Sequence, residues 1–240
     1  MKTIAYTVVQ NDMVMLELWL KYYSQHFDNL LVVKWQTKKK YESFFRKLMK
    51  KYNVEFCQMG EEEVLRYGSI LGTRIFLQKK QAEFLATPNE FDWVLYCNLD
   101  EILVPKEGSL RGLMRKTKKD WVACEGYEVI QVEGEKAINY SRRYFKQREC
   151  WIKNSDYNKI ILSRVYLDWV DGMHKLAKMT DDESRKIKDT GLYLIHLKHA
   201  DLNPIGKRDL GPHKTNLDPN IMQHWLDKKE KIPENVRKAL

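Results

Sequence analysis

The sequence predicts an α/β fold in which a mixed, mostly parallel central sheet is flanked by helices. Strand-like and helix-like segments alternate through the first hundred residues, which is typical of parallel strands joined by crossover helices. The segment Trp93–Cys97 is an uninterrupted apolar run, as expected for a strand buried on both faces. With 240 residues, 43% of them apolar, the chain is long enough to bury the core of such a domain.

The elements of the first half follow from their apolar spacing. Leu16, Leu20 and Tyr23 lie at helical spacing in a segment that Asp12 can cap, and a Phe44, Phe45, Leu48 stripe marks a second helix. The predicted strands are Lys2–Gln10, Leu30–Val33 and Val54–Cys57, followed by the central run. The predicted helices are Met13–His26, Lys39–Lys51 and Gly68–Ala86.

Polar side chains follow the central strand directly, at Asn98, Asp100 and Glu101. In open α/β sheets the ligand crevice lies beyond the carboxyl ends of the strands. Oxygen-bearing side chains at that edge can bind a hard divalent cation that also contacts substrate phosphates. The alternative is that this tetrapeptide is only a polar turn that ends the strand.

The chain carries a formal net charge of +9, with basic clusters such as Lys38–Lys40 and Arg115–Lys119. Solvated helix faces explain such clusters most simply, followed by attraction to nucleotide phosphates or to an anionic membrane surface. We expect no nucleic-acid partner, because none of the usual binding motifs occurs. We expect no transmembrane segment either, because no apolar run approaches the roughly 20 residues of a membrane span.

The N-terminus and the cysteines favour a cytoplasmic protein that is soluble or peripheral to a membrane. Met1–Val9 has one charge and no small-residue cleavage site, so we interpret it as a first strand and not as a signal peptide. The cysteines at positions 57, 97, 124 and 150 are far apart, and no two of them form a CxxC motif. We therefore expect reduced thiols and no disulfide frame or zinc site.

Four segments of the chain form a recognisable series. They are Asn11-Asp12 with Glu17–Tyr23 and Phe27–Val33, then Asp92–Pro105, then Lys159–Arg164 with Gly172–His174, and last the strand Gly191–Lys198. Together they resemble the GT-A fold glycosyltransferases of families 2 and 92. The first looks like the opening of those proteins, Asp92–Pro105 is similar to the segment that holds their metal-binding DxD motif, and the last two look like their later segments. The resemblance spans residues 4 to 200 in the right order.

This resemblance implies a GT-A fold and a glycosyltransferase that uses a nucleotide-diphospho-sugar as donor and a divalent metal, Mn²⁺ or Mg²⁺. Two departures stand out. Asn98 occupies the position of the first DxD aspartate, and Lys34–Lys38 replaces the family's acidic nucleotide-binding segment. We expect the donor near Val9, Asn11, Trp35, Arg74, Gln78, Asn98, Leu99 and Asp100, and the metal at Asp100, Asn98, His174 and His196.

Transfer by single displacement, which the resemblance implies, needs a carboxylate to remove the proton of the acceptor hydroxyl. Asp171 is the first candidate and Glu125 the second. Strand alternation places Glu125 with Tyr127 on one face of a predicted strand, and Glu128 on the other. Of the late histidines, His174 and His196 come before His199 as candidates for the site.

We predict one domain over residues 1–240, with a nucleotide-sugar half to residue 105, an acceptor half over 106–205 and a tail over 206–240. The acceptor can be a glycan, a lipid-linked sugar or a protein, and the oligomeric state stays open. Two alternatives remain. A nucleotidyltransferase is disfavoured because no Gly-rich loop follows the first strand; the other is a non-catalytic relative that binds carbohydrate or a partner protein.

Overall fold

The computed structural model describes residues 1–60, 62, 69–86, 90–132, 134–139, 142, 144–170, 175–180, 182–183, 186–187, 190–198, 200 and 227–239. The strands in these ranges are β1 (Thr3–Val9), β2 (Asn29–Lys34), β3 (Glu55–Gln58), β4 (Trp93–Tyr96), β5 (Glu101–Pro105), β6 (Trp121–Ile130), β7 (Cys150–Lys153), β8 (Lys159–Ser163), β9 (Trp169–Val170), β10 (Lys175–Leu176), β11 (Leu192–His196) and β12 (Glu230–Lys231). The α-helices are α1 (Met13–Tyr23), α2 (Glu42–Tyr52), α3 (Ser69–Ala86), α4 (Leu110–Lys116) and α5 (Glu234–Ala239).

The predicted α/β fold class is confirmed. Ten strands form one sheet, in which β12-β7-β6-β8-β4-β1-β2-β3 follow one another and β11 joins β5 to β6. The pairings β3-β2-β1-β4 and β6-β11 are parallel, and the others are antiparallel. Seven strands of the described sheet therefore run in one direction, and β5, β7 and β8 run against them.

Alternate residues of the central strands supply two separate cores. Ala5 and Leu95 point to the face covered by α1 and α2, whereas Tyr6 and Tyr96 point to the face covered by α3. Both faces of β4 are buried, which explains why its sequence shows no polar alternation. The helices therefore lie on both sides of the sheet, as the sequence predicts.

Strand β6 connects the two parts of the sheet. Its first residues, Trp121–Cys124, pair with β8, and the following residues, Glu125–Glu128, pair in parallel with β11. Tyr127–Ile130 pair with β7. Because the second half of β6 is paired with both β7 and β11, these two strands lie on opposite edges of it. This arrangement brings the end of β11 towards the turn that follows β4.

Helix boundaries differ from the predicted ones by a few residues. The Asp12 cap is confirmed, since its carboxylate accepts the N–H of Met15 at 3.1 Å. The segment predicted as one helix from Lys39 begins with a 3₁₀ turn over Lys39–Tyr41 before α2. Within the predicted stripe, Phe45 and Leu48 are buried, but Phe44 is 44% exposed, so its inclusion in the core stripe is wrong.

Two further expectations concern the cysteines and membrane spans. All four cysteines are free, and Cys97 and Cys124 are buried. Within the described ranges, no helix combines the length and apolar character that crossing a bilayer requires. The division into two halves and a tail stays a prediction, and most of the tail lies outside the described residues.

Candidate functional site

The candidate site lies at the carboxyl ends of the parallel strands. The register places Val9 opposite Lys34, and Lys34 opposite Gln58, so β1, β2 and β3 end at one level. Tyr6 is opposite Tyr96, which brings the turn after β4 to the same edge. This is the edge at which open α/β sheets bind ligands.

Asp100 and His196 are brought together here from positions 96 residues apart. The Asp100 carbonyl accepts the N–H of Leu197 at 2.7 Å, which ties the turn to the end of β11. Nε2 of His196 lies 3.4 Å from Oδ2 of Asp100, and Nδ1 lies 2.7 Å from Oε2 of Glu128. His196 therefore stands between two carboxylates, of which Glu128 is fully buried and Asp100 is about one-quarter exposed.

The electrostatic environment of His196 is strongly negative. Burial lowers the pKa of the imidazole, but the charges of Glu128 and Asp100 and hydrogen bonds to both outweigh burial and raise the pKa to about 10. The same field attracts a metal cation, which binds Nε2 only in place of the proton there, so metal binding releases a proton.

Tyr157 holds the imidazole from one side. Its ring stacks on His196 with 4.2 Å between centroids and 30° between planes. Gly126 of β6 packs against the turn that contains Asn154 and Tyr157. A Cβ at Gly126 would come within 2.5 Å of the Asn154 carbonyl oxygen and the Tyr157 Cβ. The Gly126 N–H donates to Asn158 at 2.8 Å, so the close approach is also fixed by a hydrogen bond.

A buried ion pair supports the turn that follows β4. Glu101 and Lys159 are each 1% exposed and form a salt bridge. The Glu101 carboxylate also accepts the N–H of Asn98 at 3.0 Å. Burial raises the pKa of Glu101, but the charges of Lys159 and His196 outweigh it, and the pKa is lowered. Glu101 is thus a charged support of the turn that carries Asp100.

The other residues of the turn have different surroundings. The Oδ1 atom of Asn98, predicted as a metal and donor ligand, accepts a hydrogen bond from the Tyr96 hydroxyl. The side chain of Leu99 packs against the core on the α1 side of the sheet. Of the three residues in this turn that were predicted to contact the donor, Asp100 is therefore the one that faces His196.

Val9, Asn11 and Trp35 lie together at the ends of β1 and β2. The Val9 carbonyl accepts the N–H of Trp35 at 2.9 Å, and Oδ1 of Asn11 accepts the N–H of Lys38 at 2.9 Å. These bonds shape the loop where the sequence predicts the nucleotide. Among the described residues, Nε1 of Trp35 and Oγ1 of Thr37 in this loop are buried without a partner.

Arg74 and Gln78 lie on α3, on the face of the sheet to which Tyr96 points. Nε of Arg74 is also buried without a partner. The Gln78 amide donates to Asp168 and to the Trp169 carbonyl, each at 3.2 Å. Gln78 therefore binds the segment after β8 in this structure.

Glu125, the second candidate for the base, points away from the described pair of Asp100 and His196. It lies on β6 three residues before Glu128, so strand alternation points it to the opposite face. Its carboxylate pairs with Lys106 and, at 2.7 Å, with Lys153. Burial raises the pKa of Glu125, but hydrogen bonds and charges from the two lysines outweigh burial and lower the pKa.

Asp171 and His174, the first candidate base and a predicted metal ligand, lie outside the described residues, as does His199. Within the described ranges, no group of three or more His, Cys, Asp or Glu side chains is arranged to hold a metal ion. Asp100 and His196 nevertheless suit a shared cation, since two ligands about 2.1 Å from one ion at right angles are roughly 3 Å apart. A carboxylate on the far ring nitrogen, like Glu128, is the usual support of a metal-binding histidine.

The sequence analysis missed Glu128, Tyr157 and Lys159 as parts of the site. Strand alternation already placed Glu128 and Glu125 on different faces of β6. Which of the two faces carries the site depends on the pairing of β6 with β11. The turn that carries Tyr157 can approach β6 because Gly126 has no side chain. No local pattern of the sequence indicates this contact between Gly126 and the turn.

The chain matches no family model and no curated protein. Among solved structures it is similar to a galactosyltransferase, LgtC, in complex with donor and acceptor sugar analogs, with 13% identity over 99% of this chain and 100% of that chain and a TM-score of 0.38. It is also similar to glucosyl-3-phosphoglycerate synthase from Mycobacterium tuberculosis in complex with Mn²⁺, UDP and glucosyl-3-phosphoglycerate. That match has 14% identity and a TM-score of 0.34, and it covers 53% of this chain but only 44% of the synthase.

Mouse xyloside xylosyltransferase 1 matches with 11% identity over 54% of this chain and 53% of that chain, and with a TM-score of 0.29. All three TM-scores are below 0.5, so we draw no conclusion about activity from these likenesses. The functional proposal rests on the geometry described above.

Proposed function

We propose that this chain is a glycosyltransferase that moves a sugar from a nucleotide-diphospho-sugar to an acceptor hydroxyl, with a divalent cation, Mn²⁺ or Mg²⁺, at Asp100 and His196. One observation carries the proposal. The Asp100 carboxylate faces Nε2 of His196 at 3.4 Å, while Glu128 holds the other ring nitrogen. The pair lies at the sheet edge where α/β folds bind ligands.

The donor diphosphate supplies the remaining oxygen ligands in this proposal. Divalent cations at phosphate sites are often bound through one or two protein side chains plus substrate phosphates. The cation, when bound, neutralises the charge that develops on the leaving diphosphate. The role of the chain is to place Asp100 and His196 side by side and to hold their geometry through Glu101 and Glu128.

The loop after β2 is the proposed nucleotide site. Buried polar atoms without a partner cost free energy, so two of them in this loop support a ligand that hydrogen-bonds there. Among the described residues, Nε1 of Trp35 and Oγ1 of Thr37 are such atoms, and Nε of Arg74 on α3 is another. Lys38 ends the same loop and supplies positive charge for phosphate, whereas the Lys34 ammonium pairs with Glu42.

Asp171 remains the proposed base for the acceptor hydroxyl, and the acceptor class stays open among glycans, lipid-linked sugars and proteins. Glu125 is less suited to the role, because two lysines lower its pKa and it points away from Glu128. A general base works best with a pKa near the working pH. The expected result is that Asp171→Asn abolishes transfer but retains donor binding, whereas Glu125→Gln retains transfer.

A second candidate is a non-catalytic protein of the same fold that binds carbohydrate or a partner protein. Asn98 favours it, because the amide brings no charge and its Oδ1 is occupied by the Tyr96 hydroxyl. Such a protein needs no affinity for a nucleotide and consumes no donor. The two candidates therefore differ in nucleotide-dependent turnover.

A binding and turnover screen tests the proposal. Nucleoside diphosphates and nucleotide sugars are titrated calorimetrically and by thermal unfolding, with and without Mn²⁺ or Mg²⁺, and donor consumption is followed in parallel. A ligand at a hundredfold excess over its Kd raises the free energy of unfolding by about 2.7 kcal/mol. Metal-dependent stabilisation is expected in the wild type and in Glu107→Ala, an exposed carboxylate control, and is lost in Asp100→Ala. Nucleotide binding without any turnover, or no response to any nucleotide, contradicts the transferase and favours the second candidate.

A further inference from the structure

Positive charge is dense in the segment that contains α2. Residues 38–51 contain seven Lys or Arg residues and one acid, Glu42. This segment contributes +6 to a formal net charge of +9. It consists of the 3₁₀ turn before α2 and nearly all of α2.

Helix α2 presents this charge on the side opposite its core contacts. Phe45, Leu48 and Met49 are buried and fix the helix on the sheet. Helical spacing places Lys47 and Lys50 on the other side and Phe44 at the edge of the buried stripe, beside Leu48. Lys40 lies in the preceding 3₁₀ turn, and Lys40, Phe44, Lys47 and Lys50 are all exposed. We refer to these four residues as the basic face.

The acids nearby are bound to other cations. Glu42 pairs with Lys34 and, at 2.8 Å, with Arg46. Glu17 pairs with Lys51 at 2.6 Å. In the described part of the chain no carboxylate pairs with the lysines of the basic face, so their charge is directed to the surroundings. Phe44 stands among them with 44% of its surface exposed.

We propose that the basic face binds an anionic lipid surface, with the lysines at the headgroups and Phe44 inserted at the boundary of the acyl chains. Basic residues around an exposed aromatic side chain are typical of helices that lie in the interface. A nucleic acid is the less suitable partner, because the basic face has a single aromatic side chain and therefore no platform on which successive bases stack.

The expected strength follows from the charges. A Lys near an anionic membrane contributes about a fivefold gain in affinity, so three of them contribute about a hundredfold. Burial of an exposed aromatic side chain adds about tenfold. The basic face contains neither Asp100 nor His196, so lipid binding is independent of the proposed transfer activity and is measured without a donor.

Co-sedimentation with vesicles tests the inference. The full chain is mixed with vesicles of phosphatidylcholine alone, or of phosphatidylcholine with about 30 mol% phosphatidylserine, at low and at physiological salt. The test variant carries Lys40→Gln, Lys47→Gln and Lys50→Gln. The control variant carries Lys116→Gln, Lys118→Gln and Lys119→Gln, which removes the same charge from another exposed cluster.

The proposal predicts binding to anionic but not to neutral vesicles, a loss of about a hundredfold in the test variant and a much smaller loss in the control. Phe44→Ala is expected to weaken binding about tenfold. Equal losses in the two triple variants, or no binding to anionic vesicles, overturn the proposal. So does tighter binding to a single-stranded oligonucleotide that the test variant abolishes, which identifies the face as a nucleic-acid surface.

Discussion

The carboxylate of Glu128 lies 2.7 Å from Nδ1 of His196, on the side of the ring away from Asp100. The two residues are neighbours because His196 is opposite Glu128 in the parallel register of β11 and β6. A hydrogen bond at Nδ1 fixes the orientation of the ring and leaves Nε2 directed at Asp100. Through this contact, the pairing of two buried strands determines how His196 is oriented towards Asp100, at the more exposed end of the site.

Removing the charge of Glu128 is expected to weaken metal binding. Glu128→Gln keeps the size of the side chain but loses the carboxylate that orients His196, and such supports are typically worth 10- to 100-fold in metal affinity. The measurement is the Kd for Mn²⁺ by calorimetry. Glu125→Gln is the matched control, on the same strand but the opposite face, and its Mn²⁺ affinity is expected to stay unchanged. Equal losses in both variants would contradict the assignment of Glu128.

The ring of Tyr157 is expected to matter more than its hydroxyl. Tyr157→Phe retains the stack on His196, whereas Tyr157→Ala removes a contact worth about 0.5–1.5 kcal/mol, so Mn²⁺ affinity is expected to fall two- to tenfold only in the Ala variant. Gly126→Ala displaces the same turn, because the new Cβ lies 2.5 Å from Tyr157. If Tyr157→Ala binds Mn²⁺ as the wild type does, Tyr157 has no role in positioning His196.

The buried pair of Glu101 and Lys159 predicts a specific pattern of stability. Lys159→Met leaves the Glu101 carboxylate buried without its cation and is expected to cost about 3–5 kcal/mol in the free energy of unfolding. The double variant Glu101→Gln with Lys159→Met leaves no buried charge, so its loss is expected to be smaller. Urea denaturation of the three proteins provides the comparison. A double variant that is less stable than Lys159→Met would show that the carboxylate does not depend on the lysine.

Glu125 predicts a dependence of stability on pH. Lys106 and Lys153 lower its pKa in the folded state below the ordinary value of 4.5. The contribution of this ion pair is therefore present above that value and is lost as the pH falls through the lower pKa of the folded state. The difference in unfolding free energy between the wild type and Glu125→Gln should shrink as the pH is lowered from 7 to about 3. A difference that stays constant over this interval would exclude a charged Glu125 as its source.

The architecture of the first half could be predicted from local patterns. The alternation of apolar strands and amphipathic helices indicates that β1 to β4 are parallel, and the polar residues after Cys97 mark the edge of the site. Asp100 and His196 were both predicted as metal ligands, and the structure brings them together. Their roles in binding a metal stay predictions.

The contacts that depend on long-range pairing could not be predicted. Glu125 and Glu128 are equally acidic on one strand, and only the register with β11 determines which of them meets His196. Gln78 lies on α3 at a position consistent with a nucleotide contact, but its amide binds Asp168. Asp171 and His174 remain predictions from sequence alone.

The most direct test of the central claim is a double-mutant cycle of Asp100 and His196 in which the Kd for Mn²⁺ is measured in the presence of the nucleoside diphosphate that binds. If both side chains hold one cation, Asp100→Ala and His196→Ala each weaken Mn²⁺ binding strongly, and the double variant is little worse than either single one, because the effects of coupled residues do not add. Effects that add, or a His196→Ala variant that binds Mn²⁺ as tightly as the wild type, would show that the two residues do not share a metal ion.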